Sequence, residues 1–203
     1  MLKILLHGLN FAPEEIGIGK YSGELVEDLL MRGCKVTVVT TPPYYPHWLI
    51  GKGYRGWCYS ILETGVREMS EETTVSLAKA LRLNPTLPAR LSDLLKRDPA
   101  NSGDSNAHSR SHFRIKVIRC PLWVPQKVNG WKRILHLASF GLSSIPVVLW
   151  QAVRYRPDVI MTIEPTAFCM PTTLLAAKLC GAKTWLHVQD FEVDAAFELG
   201  ILK

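Results

Sequence analysis

His187 stands in the run WLHVQDFEVD (Trp185 to Asp194), where an imidazole is followed at short spacing by the carboxylates of Asp190, Glu192 and Asp194. An imidazole titrates near neutrality, so it can give a hydrogen bond or a proton to an oxygen that is gaining charge. The plainer reading is a core histidine ahead of an acidic helix start, which the helix dipole favours without any ligand. A second candidate is GIGKYSGE (Gly17 to Glu24), which opens a helical pattern with glycine at 17 and 19. Glycine lets the backbone come close to a diphosphate, and the free N–H groups of a first helical turn attract an anion. The plainer reading there is a flexible loop and a helix start. A P-loop would need glycine where Glu14 stands, and glycines at 17, 19 and 23 do not have the dinucleotide-binding spacing. Two further groups follow strands. Glu164 precedes Pro165 and could face the same cleft or cap a helix, and TTPPYYPHW (Thr40 to Trp48) offers Tyr44 and Tyr45 as flat rings for sugar stacking on a proline-stiffened loop.

These groups need a scaffold, and the sequence supplies alternating elements. Leu2 to His7 is a short apolar run, Ile18 to Arg32 has helical spacing, and Lys35 to Thr40 is rich in β-branched residues. On the helix, Tyr21, Leu25 and Leu29 are expected inward, and Lys20, Glu24, Glu27 and Asp28 outward, with Gly33 as the terminator. The pattern returns with a strand over Ile115 to Cys120, a long helix over Trp131 to Tyr155 interrupted at Pro146, and a strand over Asp158 to Ile163. A helix over Cys169 to Cys180, ended by Gly181, and a strand over Lys183 to Val188 complete it. Strands joined through helices pair in parallel, which predicts an α/β open parallel sheet with helices on both faces. In such a sheet ligands bind beyond the carboxyl ends of the strands, where each candidate residue falls. Between the halves, Glu63 to His112 reads as a surface insertion, with a helix over Glu71 to Leu83 and no regular structure over Asp98 to His112.

With 203 residues and 47% hydrophobic composition, the chain can bury one full core, so a single domain over 1–203 is expected. Five cysteines without CxxC or metal-ligand spacing read as reduced core thiols of a cytosolic protein, and no metal is implied. The net charge of +6 favours an anionic partner. With no nucleic-acid-binding signature and scattered basic residues, nucleic acid is not that partner. Ile134 to Trp150 carries no charge and lies between Lys132 and Arg133 on one side and Arg154 and Arg156 on the other. It is shorter than the roughly 20 apolar residues a membrane span needs. It reads either as a buried helix or as a helix lying at a membrane interface.

Taken together, NFAPEEIGIGKYSGE, TPPYYPHW, RCPLWVP, RILHLASF, RPDVIMTIEP and WLHVQDFEVDAAFELGILK resemble the colanic-acid-type members of glycosyltransferase family 4. The blocks come in the family's order and cover the chain outside the insertion. The resemblance implies the N-terminal, Rossmann-like, acceptor-side half of a two-domain GT-B enzyme. Such an enzyme transfers a sugar, with retention, from a nucleotide-sugar donor to a lipid-linked saccharide acceptor in surface polysaccharide biosynthesis. It implies no cofactor beyond that donor substrate, a cytoplasmic place with peripheral membrane contact, and a C-terminal donor-binding half that this chain lacks. Residue by residue it implies that Gly17 and Gly19 face the donor diphosphate with Lys20 adding charge, that His187 contacts the donor sugar, and that Asp190 orients it. Tyr44, Tyr45, Glu164 and Glu192 remain cleft candidates. The segment from Glu63 to His112 departs from the family pattern. A non-catalytic acceptor-binding or scaffold module is the alternative of a different class, and the glycine spacing argues against a nicotinamide-dependent oxidoreductase.

Overall fold

The computed structural model describes residues 1–66, 113–164 and 167–189. Six strands, β1 (Lys3–Gly8), β2 (Lys35–Thr40), β3 (Ser60–Val66), β4 (Phe113–Arg119), β5 (Val159–Ile163) and β6 (Lys183–His187), form one sheet in the order β3-β4-β2-β1-β5-β6. β1 runs parallel to β2 on one side and to β5 on the other, with Leu5 opposite Thr37 and Ile160. Its continuous burial from Ile4 to Gly8 is what a central strand covered on both faces requires. β4 and β6 are also parallel to their neighbours, β2 and β5. Only β3 is antiparallel, joined edge to edge with β4. The sheet is therefore mixed and mostly parallel. Sequence reading missed β3 because its residues lie across the expected start of the insertion, and an edge strand open to solvent lacks a continuous apolar run. Residues 67–112, with the expected helix and irregular stretch of the insertion, lie outside the described residues.

The alternation of side chains along each strand divides the interior in two. Ile4, Leu6, Val36, Val38 and Ile163 face helix α1 (Gly17–Met31), where Val26 and Leu30 meet them. Leu5, Val39 and Ile160 face the other way, towards Phe140 and Val148 of α2 (Gly130–Arg154) and Ala176 of α3 (Met170–Cys180). Helices thus cover both faces, as expected. The expected glycine terminators hold too, Gly33 and Gly181 taking left-handed φ values of 77° and 74° just past their helices.

Several details correct the sequence reading. The buried side of α1 is Gly19, Ser22, Gly23, Val26, Glu27 and Leu30, while Tyr21 is 58% exposed. Leu25 and Leu29 pack against the core as expected, but Glu27, expected outward, is buried, because Gly19, Ser22 and Gly23 let this side of the helix lie close to the sheet. α2 runs unbroken through Pro146. Proline deprives the carbonyl four residues back of its partner, and both Pro146 and Leu142 are exposed, so water can serve that carbonyl. Cys34, Cys120 and Cys169 are buried thiols, but Cys58 is exposed on the irregular approach to β3.

The serines that dilute the apolar run of α2 tie the helix down. Ser139 Oγ accepts from the Trp123 N–H at 3.1 Å, and Ser143 Oγ donates to the Pro121 carbonyl at 2.7 Å, so the RCPLWVP segment is strapped along the helix. Ser144 joins a wholly buried chain. Its Oγ donates to the Gly141 carbonyl (3.0 Å), so it must accept from His7 Nε2 (2.9 Å). His7 Nδ1 then accepts from Thr173 Oγ1 (3.1 Å), which in turn accepts from Thr162 Oγ1 (2.8 Å). In this arrangement every hydroxyl proton has an acceptor and Nε2 carries the ring proton, and the chain of contacts links β1, β5, α2 and α3.

Burial lowers the His7 pKa from 6.5 to about 3. As the pH falls below 6.5 the unfolded chain takes up this proton first, so His7 leaves stability whole above 6.5 and erodes it between 6.5 and 3. Urea unfolding at a series of pH values should show His7→Gln flattening the acid-side slope by about 1.4 kcal/mol per pH unit. An unchanged slope would mean that His7 is not held neutral.

Candidate functional site

The carboxyl ends of β1 and β2 are followed by two loops, Leu9 to Ile16 and Thr41 to Trp48, and one buried carboxylate fastens them together. Glu14 Oε1 accepts from the backbone N–H of Tyr44 (3.0 Å) and Tyr45 (3.1 Å), and Oε2 accepts from Asn10 Nδ2 (2.9 Å). Burial pushes the Glu14 carboxyl above its usual range, while those three N–H groups and the Arg119 guanidinium oppose the rise. Arg119, at the end of β4, is itself buried and donates to the carbonyls of Thr41 (2.7 Å) and Ala12 (2.6 Å), one on each loop. The hydroxyls of Thr40 and Thr41 add bonds to the Leu9 carbonyl at 2.9 and 2.8 Å. The two loops are thus tied to each other by side-chain hydrogen bonds.

Between them opens a pocket of about 100 Å³. Leu9 and Asn10 come from the first loop, Gly17 and Ile18 from the start of α1, and Tyr44, Tyr45 and Trp48 from the second loop. Arg133, His136 and Leu137, from the first turns of α2, close it. The N-cap of α1 is Ile16, whose side chain cannot cap, so the first-turn N–H groups beside Gly17 keep their affinity for an anion. Gly17 has φ 63°, a conformation that glycine adopts without strain. Trp48 has φ 52°, where a bulky residue is strained, and its ring lies 5.5 Å from that of Tyr44 and 5.1 Å from that of His136. His136 gives its Nδ1 proton to the Trp123 carbonyl at 2.6 Å, and Nε2 meets no partner among the described residues. Burial lowers its pKa, opposed by the hydrogen bond to the Trp123 carbonyl and helped by the repulsion from Arg133, which favours the neutral ring with Nε2 an acceptor.

The sequence candidates divide around this geometry. Gly17, Tyr44 and Tyr45 line the pocket together. Gly19 does not line it: a side chain there would stand 2.5 Å from Glu14 Oε2 and 2.6 Å from its Cβ, so glycine is needed to admit Glu14. Lys20 is exposed and 3.9 Å from Glu24, one turn along α1. His187 ends β6 and is joined to Glu164 at the end of β5, whose N–H donates to the His187 carbonyl at 3.1 Å. Burial raises the Glu164 pKa. Both stand on the same edge of the sheet as the pocket, but neither lines it; β6 is two strands from β1, about 10 Å at ordinary strand spacing. Asp190 and Glu192 lie outside the described residues. Among the described residues no cluster of side chains suits a metal ion.

Sequence reading passed over Asn10, Glu14, Arg119, Arg133 and His136. The last two had a signal: Arg133 and His136 are three apart, which puts both on one face of the helix's first turns.

Over 200 residues, 98% of its length, the chain is 38% identical to a protein of Escherichia coli (strain K12) named as a colanic acid biosynthesis glycosyl transferase, WcaI. The chain is related to a glycosyltransferase. The chain spans 37% of the length of WcaI. No family model matches the chain.

Alanine favours a helix over glycine, yet Gly19→Ala should lower stability by about 1–3 kcal/mol, because it forces Glu14 out of a filled space. Glu14→Ala should cost at least about 2 kcal/mol by baring buried N–H groups. Denaturant midpoints of both variants check this; a Gly19→Ala protein as stable as the parent would contradict the contact.

Proposed function

We propose that this chain is the acceptor-side half of a retaining GT-B glycosyltransferase that moves a sugar from a nucleotide-sugar donor to a lipid-linked oligosaccharide. It does so in surface polysaccharide biosynthesis, at the cytoplasmic face of the membrane. The observation that carries the reading is one pocket in which an uncapped helix start, an arginine and an aromatic wall meet beyond the carboxyl ends of parallel strands. An anion suits the first two, and a sugar ring suits the third. The likeness to WcaI, named for glycosyl transfer, supports the same class.

The pocket's size supports a shared site. At about 100 Å³ it is well below the roughly 300–1,000 Å³ of complete ligand sites, as one wall of a two-domain cleft would be. In this reading Tyr44, Tyr45 and Trp48 hold the acceptor saccharide. The start of α1 at Gly17 faces the donor diphosphate, and Lys20 adds charge near it. His187, with Glu164 beside it and Asp190 beyond, faces the donor sugar. The departing diphosphate gains negative charge as the glycosidic bond breaks, so fixed N–H groups and cations stabilise the transition state more than the ground state. The donor half supplies the opposite wall, and no metal or cofactor is required.

The isolated chain should show no sugar transfer, since holding donor and acceptor in reacting geometry contributes about 7–11 kcal/mol to lowering the barrier and half of that holding is missing. Adding a matching C-terminal half, fused or separate, should restore turnover, and His187→Ala should then lower kcat by about 10²–10⁴. Steady transfer by the purified chain alone would overturn the reading.

A further inference from the structure

Among the described residues, three buried polar side-chain atoms meet no hydrogen-bond partner: Ser22 Oγ, Gln189 Oε1 and His136 Nε2. Of the three residues only His136 lines the pocket, and it is 1% exposed. Its Nδ1 proton goes to the Trp123 carbonyl at 2.6 Å, so Nε2 carries a lone pair, and burial favours the neutral ring. A buried acceptor left without a donor is costly, and native structures keep few of them.

The surroundings narrow what that donor can be. Arg133 repels positive charge from the same wall, so an ammonium or other cation is disfavoured beside the imidazole. Tyr44 meets the ring edge to face at 4.7 Å between centroids, and Trp48 stands 5.1 Å away on its own side. Flat aromatic rings suit the C–H faces of a sugar, whose rim carries neutral hydroxyls. A purely apolar ligand would fill the space and leave Nε2 unpaired. A sugar held on the tyrosine satisfies the aromatic surface and the acceptor together.

Nε2 is out of reach of water in the present arrangement, so part of its cover must move. Tyr44 cannot readily do so, since it is buried and its N–H is bonded to Glu14. Trp48 is only partly buried, and its φ of 52° is one that a bulky residue keeps only while contacts hold it there. A ligand that replaces those contacts releases it.

We propose that His136 selects the sugar bound in the pocket: a saccharide hydroxyl donates to Nε2 as the Trp48 ring turns outward to lie over the same sugar. This rests on the reading of the pocket as an acceptor-saccharide site. In that reading the donor sugar sits at His187 on β6, two strands or about 10 Å from β1, so the hydroxyl on His136 is not the one that reacts. His136 recognises the acceptor and takes no part in the transfer.

The test is sugar binding by the whole 203-residue chain, without a donor half or turnover, so failure of the transfer reading alone leaves it intact. Glucose, galactose, mannose and N-acetylglucosamine are titrated separately while the imidazole nitrogens are followed by nitrogen-15 NMR. The His136 signals are those missing from His136→Asn. At least one sugar should move the Nε2 resonance from the position of a free acceptor to that of a hydrogen-bonded one. His136→Asn keeps an N–H for the Trp123 carbonyl but has no acceptor where Nε2 stood, and should bind that sugar about tenfold more weakly. His136→Gln, whose amide oxygen can reach that place, should bind it more tightly than the Asn variant. Trp48→Ala should move the Nε2 resonance without sugar, because water then reaches it. The shift in the parent chain decides the matter even where a variant fails to fold. Sugar binding that leaves Nε2 unmoved, or that the Asn variant matches, would overturn the proposal and leave the saccharide reading standing. An Nε2 already hydrogen-bonded in the sugar-free parent would assign it to a buried water and overturn the proposal as well. If none of the sugars binds, the saccharide reading of the pocket falls and takes the proposal with it.

Discussion

The site depends on a carboxylate that never touches the pocket. Two loops leaving adjacent parallel strands have no ladder to align them, and each carries backbone N–H and carbonyl groups that burial would otherwise leave unmet. Glu14 takes N–H groups from the second loop and from Asn10 on its own, while Arg119 gives hydrogen bonds to a carbonyl on each. Burying either charge is costly unless such partners surround it. The cost is offset only when both loops are in place, so the pair specifies one arrangement. Gly19 belongs to the same constraint, since the start of α1 can approach only where a side chain is missing.

This revises the meaning of the glycine-rich segment. Two glycines at a helix start look like one device for a diphosphate, but they answer to different demands. Gly17 takes a left-handed backbone at the pocket edge, and Gly19 admits Glu14. A ligand would meet the first and not the second. Trp48 has two roles, since its ring, held at positive φ, packs against the core beside Tyr44 and His136 and also forms part of the pocket's aromatic wall.

The inner strands were legible in the sequence because parallel strands buried on both faces leave continuous apolar runs, and α1 and α3 end on glycine; β6, an exposed edge strand, was legible from its place after Gly181. β1, β2, β5 and β6 fall within a residue or so of their expected positions. What was hidden shares one property: it depends on contacts distant in the chain. β3 becomes a strand by pairing with β4 across the insertion. The orientation of α1 follows from small residues whose value lies in what they allow to approach. Glu14 and Arg119, 105 positions apart, carry no local pattern. The pocket was half visible, as Gly17, Tyr44 and Tyr45 follow strand ends, while Arg133 was read only as a basic flank and His136 was obscured within a run read for its apolarity.

α2 shows how much one element can carry when its faces are kept separate. Its inner stripe supplies Phe140 and Val148 to the core and Ser144 to the His7 chain; its first turns supply Arg133 and His136 to the pocket; its outer stripe is apolar and open. A rigid helix couples these three in position, but they share few side chains, so changes on one stripe should leave the others' energetics nearly additive. The hydroxyls that lower the helix's average apolarity all lie on sides that need them. Ser139 and Ser143 hold the RCPLWVP strap, whose Trp123 carbonyl in turn fixes His136 in the tautomer that leaves Nε2 an acceptor beside the aromatic wall. The polar residues that interrupt the apolar run of this helix are thus the ones that orient the pocket, and the side without them is left facing outward.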